Sequence, residues 1–218
     1  MSLSRGMQFI LFFVLALVLT RVPYINAVLE WYNTFFHELS HGLGAYITGG
    51  NAFSMELRFD GSGRLMSGNS VLPSIVTFSG YFGAILWGAG IYLIASKAPT
   101  VSNKWALVLA AIVFLSVLLW MRDWVSWVIT AVLILSFLAI WRFAQLGIAR
   151  FCLQLIGLYL IASGIASAWL LFGHDGHNDA VSMANKTRIP ASIWIIVWVL
   201  SGLAALWVIW KIENRASR

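Results

Sequence analysis

The sequence predicts an all-α polytopic membrane protein of six to seven transmembrane helices, with one short β-hairpin after the second of them. Three observations predict it. Hydrophobic residues make up 61% of the 218-residue chain and charged residues only 10%, whereas a water-soluble domain runs near half apolar and about a quarter charged. A soluble fold of this length exposes too much surface to hide so much apolar side chain, which excludes a soluble enzyme, a secreted disulfide scaffold and a disordered chain. Apolar runs close to the ~20 residues that cross a bilayer recur from one end of the chain to the other. No repeat, linker or low-complexity tract divides them, so residues 1–218 read as a single domain.

The spans fall roughly at 5–20, 24–48, 71–95, 105–121, 124–141, 149–172 and 191–211. The first has Arg5 ahead of its apolar stretch, like a leader. No small-x-small cleavage site follows, and Arg21-Val22-Pro23 runs straight into more apolar sequence, so it is read as a retained first helix. The fourth and fifth are separated only by Arg122 and Asp123 and form a tight helical hairpin. If one of that pair is re-entrant, the count falls to six. Cys152, the only cysteine, sits in an apolar run and reads as a small core residue.

Two polar insertions break the pattern. Between the second and third spans, Phe53, Met55, Leu57 and Phe59 alternate with Ser54, Glu56 and Arg58 ahead of Asp60-Gly61-Ser62-Gly63. Alternation around a glycine-rich turn predicts a β-hairpin. The second insertion, Gly173 to Pro190, carries His174-Asp175-Gly176-His177-Asn178-Asp179 and then Lys186 and Arg188. With an even number of spans between them, both insertions lie on one side of the membrane. The basic residues divide six on that side to eight on the other, so the positive-inside rule leaves the orientation open. The net charge of +6 suits anionic headgroups and calls for no nucleic-acid partner.

Chemistry concentrates in His37-Glu38-Leu39-Ser40-His41, an HExxH pattern inside the second span. Residues i and i+4 share a helix face, so His37 and His41 can bind one Zn²⁺, and Glu38 beside them is placed to take a proton from a water as general base. Ionisable groups at membrane depth cost several kcal/mol and are functional suspects by default. Glu30, Asn33, His37, His41 and Gly44 continue a polar stripe at helical spacing. Asn33 suits a supporting hydrogen bond or a water path, while Glu30, about 10 Å from His37 at 1.5 Å per residue, is too distant to be a ligand. A catalytic zinc of this kind takes a third protein ligand and leaves its fourth position for water. The residues leave several candidates: Asp123 between spans, Asp60 in the hairpin turn, and Asp175, His177 or Asp179 in the second insertion. Asp179 opens the run into the last helix and so can project inward from a rigid element.

At this point the chain resembles the site-2 protease family of membrane-embedded zinc metallopeptidases. HELSHGLGAYITGG, residues 37–50, is similar to that family's zinc-binding helix running into small residues and a short β element. FSGYFGAILWGAG, residues 78–90, resembles the glycine-rich helix packed beside it, its Gly80, Ala84 and Gly88 allowing a close helix approach. HNDAVSMANKTRIPASIWIIVWVL, residues 177–200, resembles a compact bacterial branch in which an Asp-Ala pair precedes the final span. The Asn-Pro…Asp-Gly motif of better-known branches is missing; Asp175-Gly176 echoes it, and Asp179-Ala180 fits the compact branch better. The resemblance implies a zinc-dependent endopeptidase of the cell membrane. One Zn²⁺ per chain would be held by His37, His41 and Asp179, Glu38 would be the base, and a transmembrane protein segment would be the substrate. Two other classes are compatible with the sequence. One is a catalytically silent member that chaperones or regulates a membrane partner. The other is a small transporter, against which stand the lack of an internal repeat and the scarcity of ionisable groups in the other helices.

Overall fold

The computed structural model describes residues 4–174 and 176–215. Helix α1 (Arg5–Leu19) starts at Ser4, whose hydroxyl accepts a hydrogen bond from the Met7 amide, and α2 (Pro23–Ile47) starts at a proline. A residue before proline is pushed out of the helical region, and Val22 is extended (φ −96°, ψ 103°), so the chain cannot run on as one helix. The axes of α1 and α2 meet at 108°. At 15 residues α1 reaches only about 22 Å, short of the ~30 Å hydrocarbon core. The expectation of two separate spans here is replaced by a bent pair.

A hairpin of β1 (Asn51–Leu57) and β2 (Gly63–Gly68) follows, antiparallel, with Met55 opposite Leu65 and Leu57 opposite Gly63. The register slips between Ala52 and Ser54, which leaves Phe53 as a bulged residue. The strict alternation expected for the hairpin fails there. Met55 and Leu57 are buried, but Phe53 is turned out and Phe59 lies in the turn against Trp31 and Trp124. Gly61 adopts φ +84°, the left-handed conformation the turn requires. Asp60 stabilises the same turn by accepting from the Ser62 amide at 2.9 Å and the Ser62 hydroxyl at 2.7 Å, and these bonds hold its carboxyl below the usual range.

The remaining elements are α3 (Pro73–Lys97), a 3-10 turn at Pro99–Val101, α4 (Ser102–Trp120), α5 (Trp124–Phe143), α6 (Leu146–Trp169), α7 (Asp179–Thr187) and α8 (Ala191–Arg215). Among the described residues five helices are long and apolar enough to cross a membrane, and counting the bent α1–α2 pair as one span gives six. That is the lower end of the expected range. The fold is thus an all-α polytopic architecture with one small hairpin.

Helix α6 is central, the most deeply buried of the five long apolar helices, and α8 is the least. It crosses α3 where glycine meets glycine. A Cβ on Gly88 would lie 2.6 Å from the Gly157 carbonyl oxygen, and one on Gly157 would lie 2.6 Å from that of Gly88. Small residues bring α2 and α3 together in the same way, with Gly44 against Ser79 and Gly83 against Ser40. The Ser79 hydroxyl seals this contact by donating to the Ser40 carbonyl at 2.9 Å. The hairpin is clamped onto α2 by the Thr34 hydroxyl donating to the Gly61 carbonyl and the Trp31 indole donating to the Phe59 carbonyl at 3.3 Å.

Candidate metal centre

His37 and His41 leave one face of α2 and meet edge to face, with ring centroids 4.7 Å apart. Helix α3 forms the wall behind them. Gly80 is the residue that permits this, since a Cβ there would come within 2.5 Å of the His41 ring and 2.7 Å of the His37 ring. One turn earlier on α3, the Val76 carbonyl lies 2.7 Å from His41 Nδ1. A carbonyl only accepts, so Nδ1 carries the hydrogen, and the Nε2 lone pair of the neutral ring is left for the centre. Such a backbone partner is the usual means of fixing a metal-binding imidazole.

The third group arrives from α7. Asn178 caps this helix by accepting from the Val181 amide at 3.0 Å, and Ala180 and Met183 are buried against Ala168, Ile195 and Trp198. That packing fixes Asp179, the first residue of the helix. Its Oδ2 lies 3.1 Å from His37 Nε2 and 3.2 Å from His41 Nε2, and the two nitrogens are 3.0 Å apart. Burial pushes the Asp179 carboxyl up, but the two imidazoles outweigh it and hold the group below the usual carboxylate range.

The triangle fits a small divalent ion. Bonds of about 2.0–2.1 Å in a tetrahedral site separate the ligand atoms by about 3.3 Å. The observed edges of 3.0–3.2 Å lie just inside that separation. Three electron-pair donors converge here on one point, and only positive charge between them, as protons or a metal ion, makes that arrangement favourable. Two imidazoles and one carboxylate also match the donor preference of zinc.

Glu38 is buried beside the triangle, against the beginning of β2: a Cβ on Gly63 would stand 3.0 Å from its Cγ and 3.1 Å from its Oε1. Two cavities reach these residues. One, of about 500 Å³, is lined by His41, Asp179, residues 64–70 in and just after β2, Thr77 and Lys186. The other, of about 200 Å³, is lined by His37, Glu38, Asn33, Tyr81 and the hairpin turn.

The structure therefore brings His37, Glu38, His41 and Asp179 together. The other third-ligand candidates lie elsewhere. Asp123 caps α5 through the Ser126 amide at 2.9 Å and hydroxyl at 2.6 Å, Asp60 is committed to its turn, and His177 is exposed outside the cluster. Asp175 lies outside the described residues. Asn33 donates to Glu30, whose carboxylate also accepts from the Tyr159 and Ser163 hydroxyls and so ties α2 to α6. Sequence reasoning missed α7 as a helix, the Val76 carbonyl and Tyr81; the one available signal for Tyr81 was its place beside Gly80 in the glycine-rich segment.

Compared with known proteins, the chain matches one family model, Peptidase M50B-like, over residues 10–209. Neither the curated proteins nor the solved structures give a match.

Proposed function

Because the chain belongs to the Peptidase M50B-like family, a site-2 protease family, we propose that it is a zinc-dependent intramembrane endopeptidase. The observation that carries this reading is the triangle of His37 Nε2, His41 Nε2 and Asp179 Oδ2, with Glu38 buried at its side. These three residues would hold one Zn²⁺ per chain. Bound there, the ion would supply Lewis-acid chemistry, polarising a scissile carbonyl and acidifying a water. Glu38 takes a proton from the attacking water and returns it to the leaving amine. Burial of Glu38 limits bulk water around the base, so its proton passes between reacting groups. The Val76 carbonyl keeps the His41 tautomer and ring orientation constant through the cycle.

The substrate in this reading is a membrane-spanning or membrane-proximal segment. A peptide bond inside a helix is shielded by its own backbone hydrogen bonds, so the segment must unwind before attack. The larger cavity suits an extended chain, because residues 64–68 of β2 line it together with His41 and Asp179. An unwound segment can satisfy its freed amides and carbonyls by adding to that strand. The multi-pass architecture agrees with this substrate class, and we place the protein in the bacterial cell membrane with its partner lipids.

The test compares wild type with Glu38→Ala on candidate transmembrane peptides, counting zinc in both. The expected result is one zinc in each protein and cleavage by wild type alone. Equal cleavage by the two proteins would remove Glu38 from the mechanism, and absence of bound metal would remove the centre itself. Zinc without cleavage in wild type would favour a silent member that chaperones or regulates a membrane partner.

A further inference from the structure

Hydrolysis at this centre builds charge on an oxygen that a bound ion would meet from one side, and the four residues above supply it no hydrogen-bond donor. When water adds to a peptide carbonyl, negative charge develops on the carbonyl oxygen, and a fixed donor aimed at it is a major source of rate. Among the described residues, Tyr81 is the one tyrosine of the bundle interior whose phenol is uncommitted. The Tyr32 hydroxyl pairs with Ser136, Tyr46 with the Trp120 indole, Tyr92 with Gln154 and Tyr159 with Asn26 and Glu30. Among the described residues the Tyr81 hydroxyl makes no hydrogen bond, although a phenol in a protein interior ordinarily finds a partner.

Its position is nonetheless fixed. The ring meets His37 in a T-shaped contact at 4.6 Å and 82°, and it also packs on Trp198 at 4.9 Å. Trp198 is itself held, donating from its indole to the Phe78 carbonyl at 3.1 Å. Tyr81 follows Gly80, the residue that lets α3 lie against both imidazoles, and it lines the same cavity as His37 and Glu38.

Resting on the proteolytic reading, we propose that Tyr81 is a further catalytic residue, its phenol donating a hydrogen bond to the substrate's carbonyl oxygen as that oxygen becomes an oxyanion. The step balances without further reagents. A carbon–oxygen bond forms from water, and the water's proton passes to Glu38. The oxyanion then re-forms the carbonyl, the carbon–nitrogen bond breaks, and Glu38 gives the proton to the departing amine. Tyr81 keeps its own proton throughout.

Tyr81→Phe separates this role from mere support of His37, because the phenylalanine ring preserves both aromatic contacts. Three quantities are read: cleavage kinetics, zinc per chain, and affinity for a phosphinic peptide, which mimics the tetrahedral oxyanion. The expected result is a fall in kcat of about 10²–10³-fold with KM nearly constant, a parallel loss of phosphinate affinity, and unchanged zinc. A variant whose kcat stays within about twofold of wild type overturns the proposal, and so does a kcat loss that tracks loss of zinc. Glu38→Ala runs alongside. If it is inactive while Tyr81→Phe is active, only the tyrosine's role is lost. If wild type neither cleaves nor binds the phosphinate, both readings fall together.

Discussion

Substituting Gly80 with alanine tests whether the spacing of α2 and α3 sets the geometry of the candidate metal centre. The new methyl would sit 2.5 Å from Cε1 and Nε2 of His41 and 2.7 Å from Cε1 of His37. Carbon contacts settle near 3.5 Å, so one or both rings, or the helices that carry them, must move by roughly 1 Å. Rotation of the His41 ring is opposed by its 2.7 Å bond to the Val76 carbonyl. The fold itself would suffer little. Overpacking costs about 1–3 kcal/mol, and replacing a mid-helix glycine by alanine returns about 0.5–1 kcal/mol. Metal binding tolerates far less, since ligand distances are held to about ±0.2 Å. Purified Gly80→Ala should therefore melt only a few degrees below wild type yet retain under about a tenth of its zinc after dialysis against a competing chelator. Gly90→Ala, in the same helix with open space around the new Cβ, is the control and should keep its zinc. If Gly80→Ala holds zinc as tightly as wild type, the argument from helix spacing is wrong.

Two further substitutions separate structural roles from the centre. Asp123→Ala removes the cap of α5 and should lower stability by about 0.5–2 kcal/mol in denaturant titration while leaving zinc content and cleavage intact. An accompanying loss of zinc would refute its assignment as a cap alone. Gly88→Ala forces a methyl to within 2.6 Å of the Gly157 backbone oxygen, which cannot rotate away. It should therefore lower thermal stability by at least the ~1–3 kcal/mol of ordinary overpacking, and an unchanged melting temperature would show that α3 and α6 part freely.

What could be read from the sequence divides by range. The apolar spans, the hairpin and the shared face of His37 and His41 are local patterns, and the corresponding helices and strands are present. The bend between α1 and α2 was written in Val22-Pro23, but apolar length outweighed that signal and suggested two spans. The bulge at Phe53 changes which residues face inward without changing the residue types, so alternation alone could not show it. Helix α7 is short and polar, and it owes its place to the packing of Ala180 and Met183 on distant residues. The meeting of Asp179 with the imidazoles is non-local in the same way. No spacing rule links α2 to α7, and the residues alone left several acids open.

That long separation has a consequence in time. His37, Glu38 and His41 emerge early in synthesis, whereas Asp179 follows after four more membrane helices have been made. At roughly 5–20 residues per second, the imidazole pair waits on the order of ten seconds for its third partner. During that interval the two imidazoles and Glu38 are present without Asp179, the third member of the triangle. If the chain is the proposed peptidase, its activation would thus wait until α7 has been made, with only α8 still to follow.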